Sequence, residues 1–142
     1  MHKNAVEDLR QIITEFPDAG MFVIPDVPAE RLTKAIQSYA FGAQPNRVLF
    51  LYDNTLWGSA KNGFCLTSQH LYWRNAGEEP SRISLRRIKH AIPAAPGGFL
   101  DTPHVNVNDR KLEANSPELA VVLAKVILLV RDACRRQQLP KD

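Results

Sequence analysis

Between positions 47 and 90 the chain reads RVLFLYDNTLWGSAKNGFCLTSQHLYWRNAGEEPSRISLRRIKH, and its apolar residues recur with a period of two. Alternation of that kind places one side chain in two on a common face, which is the geometry of a strand and not of a helix. The stretch therefore needs a sheet, and the rest of the chain must cover it. Residues 48–52 (VLFLY) form an unbroken apolar run between Pro45-Asn46 and Asp53-Asn54, the pattern of a strand buried on both faces. Phe64 and Leu66 share a face against Cys65 and Thr67, and Leu71 and Trp73 share one against His70, Tyr72 and Arg74. Ile83 and Leu85 alternate with Arg82, Ser84 and Arg86 in a fourth strand. Only Ser68 and Gln69 separate the second and third strands. Neither tolerates positive φ well, so a turn longer than two residues with frayed ends is expected.

The segments on either side have a different period. After a capping-box pair, Asn4 and Glu7, the residues Val6, Leu9, Ile12 or Ile13, and Phe16 return at helical spacing until Pro17 and Gly20. Met21 to Ile24 suits a short extended segment. Pro28 starts a second helix with Leu32, Ala35, Ile36 and Tyr39 on one face, and Gly42 is its expected stop. Both helices are short enough to require packing against the sheet. Residues 91–103 (AIPAAPGGFLDTP), with three prolines and two glycines, read as a loop.

Residues 104–114 (HVNVNDRKLEA) read as a hairpin turning at Asn108-Asp109. A two-residue turn there sets Val105 opposite Leu112, Asn106 opposite Lys111, and His104 opposite Glu113 as a surface charge pair. Ser116-Pro117-Glu118 is a strong helix start, and the helix it opens runs to about Gln138. Its middle, LAVVLAKVILLV, is apolar nearly all round, which requires burial on more than one side. Helices, then strands, then a hairpin, then a long helix is an α+β order without βαβ alternation. One domain over residues 1–142 is expected, with a bent antiparallel sheet or open barrel of about six or seven strands and the last helix closing its end.

The stretch GSAKNGFCLTSQHLYWRN, residues 58–75, resembles bacterial pleckstrin-homology-like (PH-like) domains of uncharacterised function. In those a glycine-flanked turn leads into a strand, a Leu-Thr pair, and an aromatic strand ending near Asn. The likeness extends over about residues 47–138 and leaves the two N-terminal helices outside it. It implies a PH-like barrel carrying a non-catalytic binding or adaptor function, directed at a protein or a membrane. The lipid-binding members have a basic loop between their first two strands. Here that loop has Lys61 as its one charged residue after Asp53, a departure that argues against an inositol phosphate.

Composition narrows the functional classes. Of the 142 residues 44% are hydrophobic and 23% charged, values of an ordinary globular domain, and the net charge of +3 is below that of a dedicated nucleic-acid binder. The N-terminal residues lack the apolar core of a signal peptide, and the longest nearly apolar run is too short to span a bilayer, so a cytoplasmic location is expected. Cys65 and Cys134 sit in apolar surroundings and read as buried structural thiols. The histidines have no metal-ligand spacing, and the two glycines of Gly58 and Gly63 stand at P-loop spacing without the Lys and Ser/Thr that phosphate binding needs. No nucleophile–base–orienter set assembles, so no catalytic residue, metal or cofactor is assigned.

Two binding features remain. Trp57, beside Leu56 and with Lys61 on the 53–62 loop, is either an exposed anchor for a protein partner or a buried plug of the barrel end. Arg82, Arg86, Arg87, Lys89 and His90, with Arg74 alongside, form the densest basic patch. That patch is either a solvated edge guarded against aggregation or a site for nucleic acid or anionic lipid. The first feature leads the reading: a protein partner, with self-association among the options, and Trp57 mattering more than the arginines.

Overall fold

The computed structural model describes residues 5–16, 20–55, 58–94 and 102–136. Within them are three helices, α1 (Ala5–Glu15), α2 (Ala29–Ser38) and α3 (Pro117–Arg135), and eight strands. The strands are β1 (Met21–Val23), β2 (Val48–Asp53), β3 (Gly63–Thr67), β4 (His70–Arg74), β5 (Ser81–Ser84), β6 (Ala91–Ala94), β7 (His104–Val107) and β8 (Arg110–Glu113). They form two antiparallel sheets, one of five strands in the order β1-β2-β3-β4-β5 and one of three in the order β6-β7-β8. The expected single bent sheet is thus divided in two, and no closed barrel forms among the described residues.

The period-two pattern is realised as two cores on opposite faces of the larger sheet. Phe64, Leu66, Leu71 and Trp73 face the main core with α1, α3 and the smaller sheet. Cys65 and Tyr72, with Leu51, face a second core made by Leu32, Ala35 and Tyr39 of α2. Being covered on both sides explains why every residue of β2 and of β3 is buried. Phe50 and Phe64 stack at 5.3 Å between ring centroids in the main core. Phe50, Phe64, Leu66, Leu71, Val105, Leu123 and Ile127 are buried, as their alternation requires. Ile83, on the edge strand β5, is only half-buried and packs against the core's margin.

Helix α3 starts on Ser116, whose hydroxyl accepts the Leu119 amide at 3.1 Å, with Pro117 in the first turn. Its apolar middle is buried against α1, β6 and β7, which is why so few of its positions between Leu119 and Val130 are polar. It ends at Arg135; residues 137–142 lie outside the described part. Helix α2 ends at Ser38, well before Gly42.

Two expectations need correction. Residues 91–94, read as the start of a loop, are strand β6: Pro93 pairs opposite Val105 on a strand bonded to β7 alone, an edge position where its missing N–H leaves no ladder bond unmade. Residues 95–101 lie outside the described part. The fourth strand stops at Ser84, and Leu85–Arg87 form a 3₁₀ turn that buries Leu85 while turning both arginines outward. The Thr67–His70 connection behaves as expected of a turn without glycine. Its last paired residues are Leu66 and Leu71, and the Thr67 hydroxyl oxygen accepts the Gln69 and His70 amides at 3.1 and 3.0 Å.

The two sheets meet through side chains of β4. Trp73 Nε1 donates to the Lys111 carbonyl at 3.0 Å. Asn75, just past the strand, donates from Nδ2 to the same carbonyl at 2.9 Å and accepts the Glu113 amide on Oδ1 at 2.9 Å. Its carboxamide so takes the place of a neighbouring strand along the edge of β8. Asn75→Ala takes the Asn75 carbonyl oxygen from the Glu113 amide and leaves the Lys111 carbonyl with the Trp73 indole, and is expected to lower unfolding free energy by about 1–3 kcal/mol in urea titrations. Phe64→Ala and Leu123→Ala, which open cavities, should each cost about 2–5 kcal/mol. A change within about 0.5 kcal/mol for all three would mean that these contacts do not hold the fold.

Candidate binding site

The 53–62 loop is built on Asp53, which is buried. Its Oδ1 accepts the Thr55 amide at 2.9 Å and the Thr55 hydroxyl, and the same hydroxyl oxygen accepts the Ala60 amide at 3.3 Å. Arg31 stands over the Phe22 ring and places Nη1 3.6 Å from Asp53 Oδ2, an ion pair beyond hydrogen-bond length. Gly63, with φ of 135°, closes the loop where a Cβ would lie 1.9 Å from the Tyr52 carbonyl oxygen, so no other residue fits. Gly58, with φ of 72°, is the other glycine of this loop in the left-handed region. Lys61 is exposed on this loop; Leu56 and Trp57 lie outside the described residues.

Below the loop, Tyr39 and Cys65 are buried in the second core. Burial raises the Tyr39 hydroxyl well above its ordinary value, with the neighbouring Cys65 and Asp53 adding to the effect. Burial likewise pushes the Cys65 thiol up to about 12. Burial thus favours the protonated form of both. Cys134 is half-buried on α3, more open than expected, and both thiols are free. His104, expected on the surface against Glu113, is instead buried. The register is the one anticipated, but its Nδ1 bonds the Thr102 carbonyl oxygen at 2.9 Å. Among the described residues no group of three His, Cys, Asp or Glu could hold a metal ion, and no helix is long and apolar enough to cross a membrane.

The basic residues are brought together. Arg82, Arg86, Arg87 and Lys89 line an open depression of about 1010 Å³, joined there by Arg110 of β8 and Arg135 of α3. Its lining contains no carboxylate among the described residues; Ser84, Asn108 and His70 complete its polar wall. Arg74 is elsewhere, half-buried and bonded to the Glu78 carbonyl at 3.0 Å. His90 lies just behind, its Nε2 bonded to the Asn108 carbonyl oxygen at 2.8 Å.

The floor of the depression is the segment from Leu85 to His90, and side chains from two other elements hold its backbone. Asn108 Oδ1 accepts the Lys89 and His90 amides at 2.8 and 3.3 Å, and Nδ2 donates to the Arg87 carbonyl at 3.1 Å. From α3, Arg131 donates to the Lys89 carbonyl at 3.0 Å and Arg135 to the Ile88 carbonyl at 2.8 Å. Asn108 has φ of 56°, a conformation that Asn tolerates better than most residues. Arg110 stacks 4.7 Å from the centre of the Trp73 ring.

Sequence reasoning found Arg82, Arg86, Arg87 and Lys89 and missed Arg110, Arg135, His70 and Asn108. The hairpin register carried a usable signal for Arg110, since it sets that residue beside the turn; Arg135 lies in the last turn of α3, where a cation already suits the helix dipole, so its position gave no separate signal.

In comparisons with protein families, curated proteins and solved structures, nothing matches the chain.

Two results should follow from this geometry. Asn108→Ala loses three hydrogen bonds and meets a left-handed backbone, for an expected loss of about 2–3 kcal/mol; Asn108→Gly keeps the backbone free and should cost about 1 kcal/mol less. Equal losses in chemical denaturation would show that the backbone conformation contributes nothing. The second concerns His70, whose pKa is lowered by burial and then by Arg82. A base with a lowered folded pKa loses stability for the fold as pH drops below its unfolded value of about 6.5. The ligand-free protein should therefore be slightly less stable at pH about 5.5 than at about 7.5, and His70→Gln should flatten that difference. A larger acid loss in His70→Gln than in the wild type would contradict it.

Proposed function

We propose that the chain is a non-catalytic binding domain, PH-like in general plan, whose working surface is the basic depression and whose partner is anionic. The observation that supports this most is the convergence of six cations from β5, the 3₁₀ turn and the segment after it, β8, and α3 on one concavity without a carboxylate in its lining. Like charges so close repel one another and raise the free energy of the folded chain. An anionic partner removes that repulsion, and arginine forks suit phosphate and carboxylate oxygens.

A protein interface at the 53–62 loop is the competing reading, with Trp57 as its anchor and Lys61 setting orientation. The two separate by mutation. Arg86→Glu combined with Arg87→Glu should move elution from heparin to markedly lower salt and weaken binding at least about tenfold, since each phosphate or sulfate contact adds to the salt dependence. Trp57→Ala should leave heparin retention unchanged. Should Trp57→Ala abolish recovery of a cellular partner while the double reversal does nothing, the loop is the working surface instead.

A further inference from the structure

The depression has chemistry that separates one class of anionic partner from the others. We infer that it holds the phosphate backbone of a single-stranded nucleic acid. This rests on the reading of the depression as an anion site, and it adds the identity of the anion.

Protein interfaces draw their affinity from buried aromatic or aliphatic anchors at their centre, with charge confined to the rim. Here the pattern is reversed. Among the described residues the one large apolar lining residue is Ile83, half-buried on an edge strand, while six of the lining side chains are cations. An acidic protein segment would find charge but no anchor. A lipid bilayer presents a flat sheet of headgroups, and cations within a concavity reach it less well than cations on a convex loop; among the described residues Ile83 is the one large apolar side chain of the lining that could enter the acyl region. Nucleic-acid interfaces, in contrast, are more polar and far more positive than protein interfaces. Five of the six cations are arginines, the side chain whose planar fork matches two phosphate oxygens at once.

A single strand fits better than a duplex for two reasons. The concavity admits a flexible backbone, whereas a stiff double helix would rest on its rim. In addition, His70 stands in the wall, half-buried, with its ring 5.7 Å from the Tyr72 ring and tilted by 44° to it. Cations that follow a backbone beside an aromatic face on which a base stacks are the arrangement of sequence-tolerant single-strand binding. The floor is ordered for this by Asn108, Arg131 and Arg135, which hold backbone groups and so keep Arg86, Arg87 and Lys89 turned outward. Beyond Ser84 and the amide of Asn108 the lining offers little that could read base edges, so affinity should be indifferent to sequence.

The test uses the full chain and fluorescence anisotropy at neutral pH and low salt. The probes are a mixed-sequence single strand of about a dozen nucleotides, its duplex, polyglutamate of similar charge, heparin, and vesicles of phosphatidylserine with phosphatidylcholine. The single strand should bind at least about tenfold more tightly than polyglutamate and more tightly than the duplex. Its log K should fall linearly with log salt, with a slope of about −3 to −4 if four to six phosphates are engaged at about −0.7 each. Arg86→Glu with Arg87→Glu should cost at least about tenfold, and Lys61→Glu, a charge reversal outside the depression, less than about twofold. His70→Ala should weaken single-strand binding about fivefold or more while leaving heparin unchanged, a readout that a loss of fold would not give. If polyglutamate or the vesicles bind as tightly as the single strand, the nucleic-acid inference falls and the anion site stands. If no probe binds, heparin included, the anion site itself falls. Wild-type salt dependence decides the matter even if a variant proves unstable.

Discussion

Much of the structure depends on the carboxamide of Asn75. It is buried at the end of β4, where it gives one hydrogen bond to the Lys111 carbonyl and takes one from the Glu113 amide. A sheet edge inside a protein leaves amides and carbonyls whose desolvation costs about 1–3 kcal/mol each when no partner is supplied. Asn75, with the Trp73 indole beside it, supplies partners from a side chain where the backbone of β4 has already passed. The smaller sheet can then close against the larger one without continuing its ladder. The two sheets are joined there by side chains and not by a shared ladder.

The position of β8 has consequences for the surface. With β8 tied to Asn75, the β7–β8 turn carries Asn108 to the segment after β5, and Asn108 orders that segment. Helix α3 reaches the same segment from the other side, with its apolar stretch in the core and its C-terminal end supplying Arg131 and Arg135. Core packing and surface chemistry are thus coupled through one helix. The cationic cluster is tolerated because two of its guanidiniums also do structural duty: Arg135 on the Ile88 carbonyl, and Arg110 on the Arg82 carbonyl and the Trp73 face. A delocalised cation can stack and donate while keeping its charge available to a ligand, which a lysine does less well.

Legibility in the sequence followed the range of the interactions. The alternation in β3 and β4 told which residues share a face, and the two cores divide along that line. The β7–β8 register was readable because apolar and polar pairs agreed on one alignment. Strand β6 was hidden by Pro93, since a proline signals a break unless one knows that the strand lies at an edge. His104 was placed on the surface by the same alternation that served elsewhere. Its burial comes from what packs over the smaller sheet and from the Thr102 carbonyl, neither of which is encoded in the hairpin itself.

The sequence by itself determined an α+β chain with strands in its middle, a hairpin turning at Asn108, and a long helix that had to be buried. Those properties arise from period, capping and turn chemistry, which act over a few residues. It also determined that four cations lie close together near position 86. Only the tertiary structure decided that Arg110, from the hairpin, and Arg135, from the last helix, join them around one concavity. The distance along the chain between these residues is large, and nothing local marks them as neighbours. Their meeting is set by the burial of α3 and by the hydrogen bonds that Asn75 gives to the Lys111 carbonyl and accepts from the Glu113 amide, long-range contacts whose geometry exists only once the core has formed.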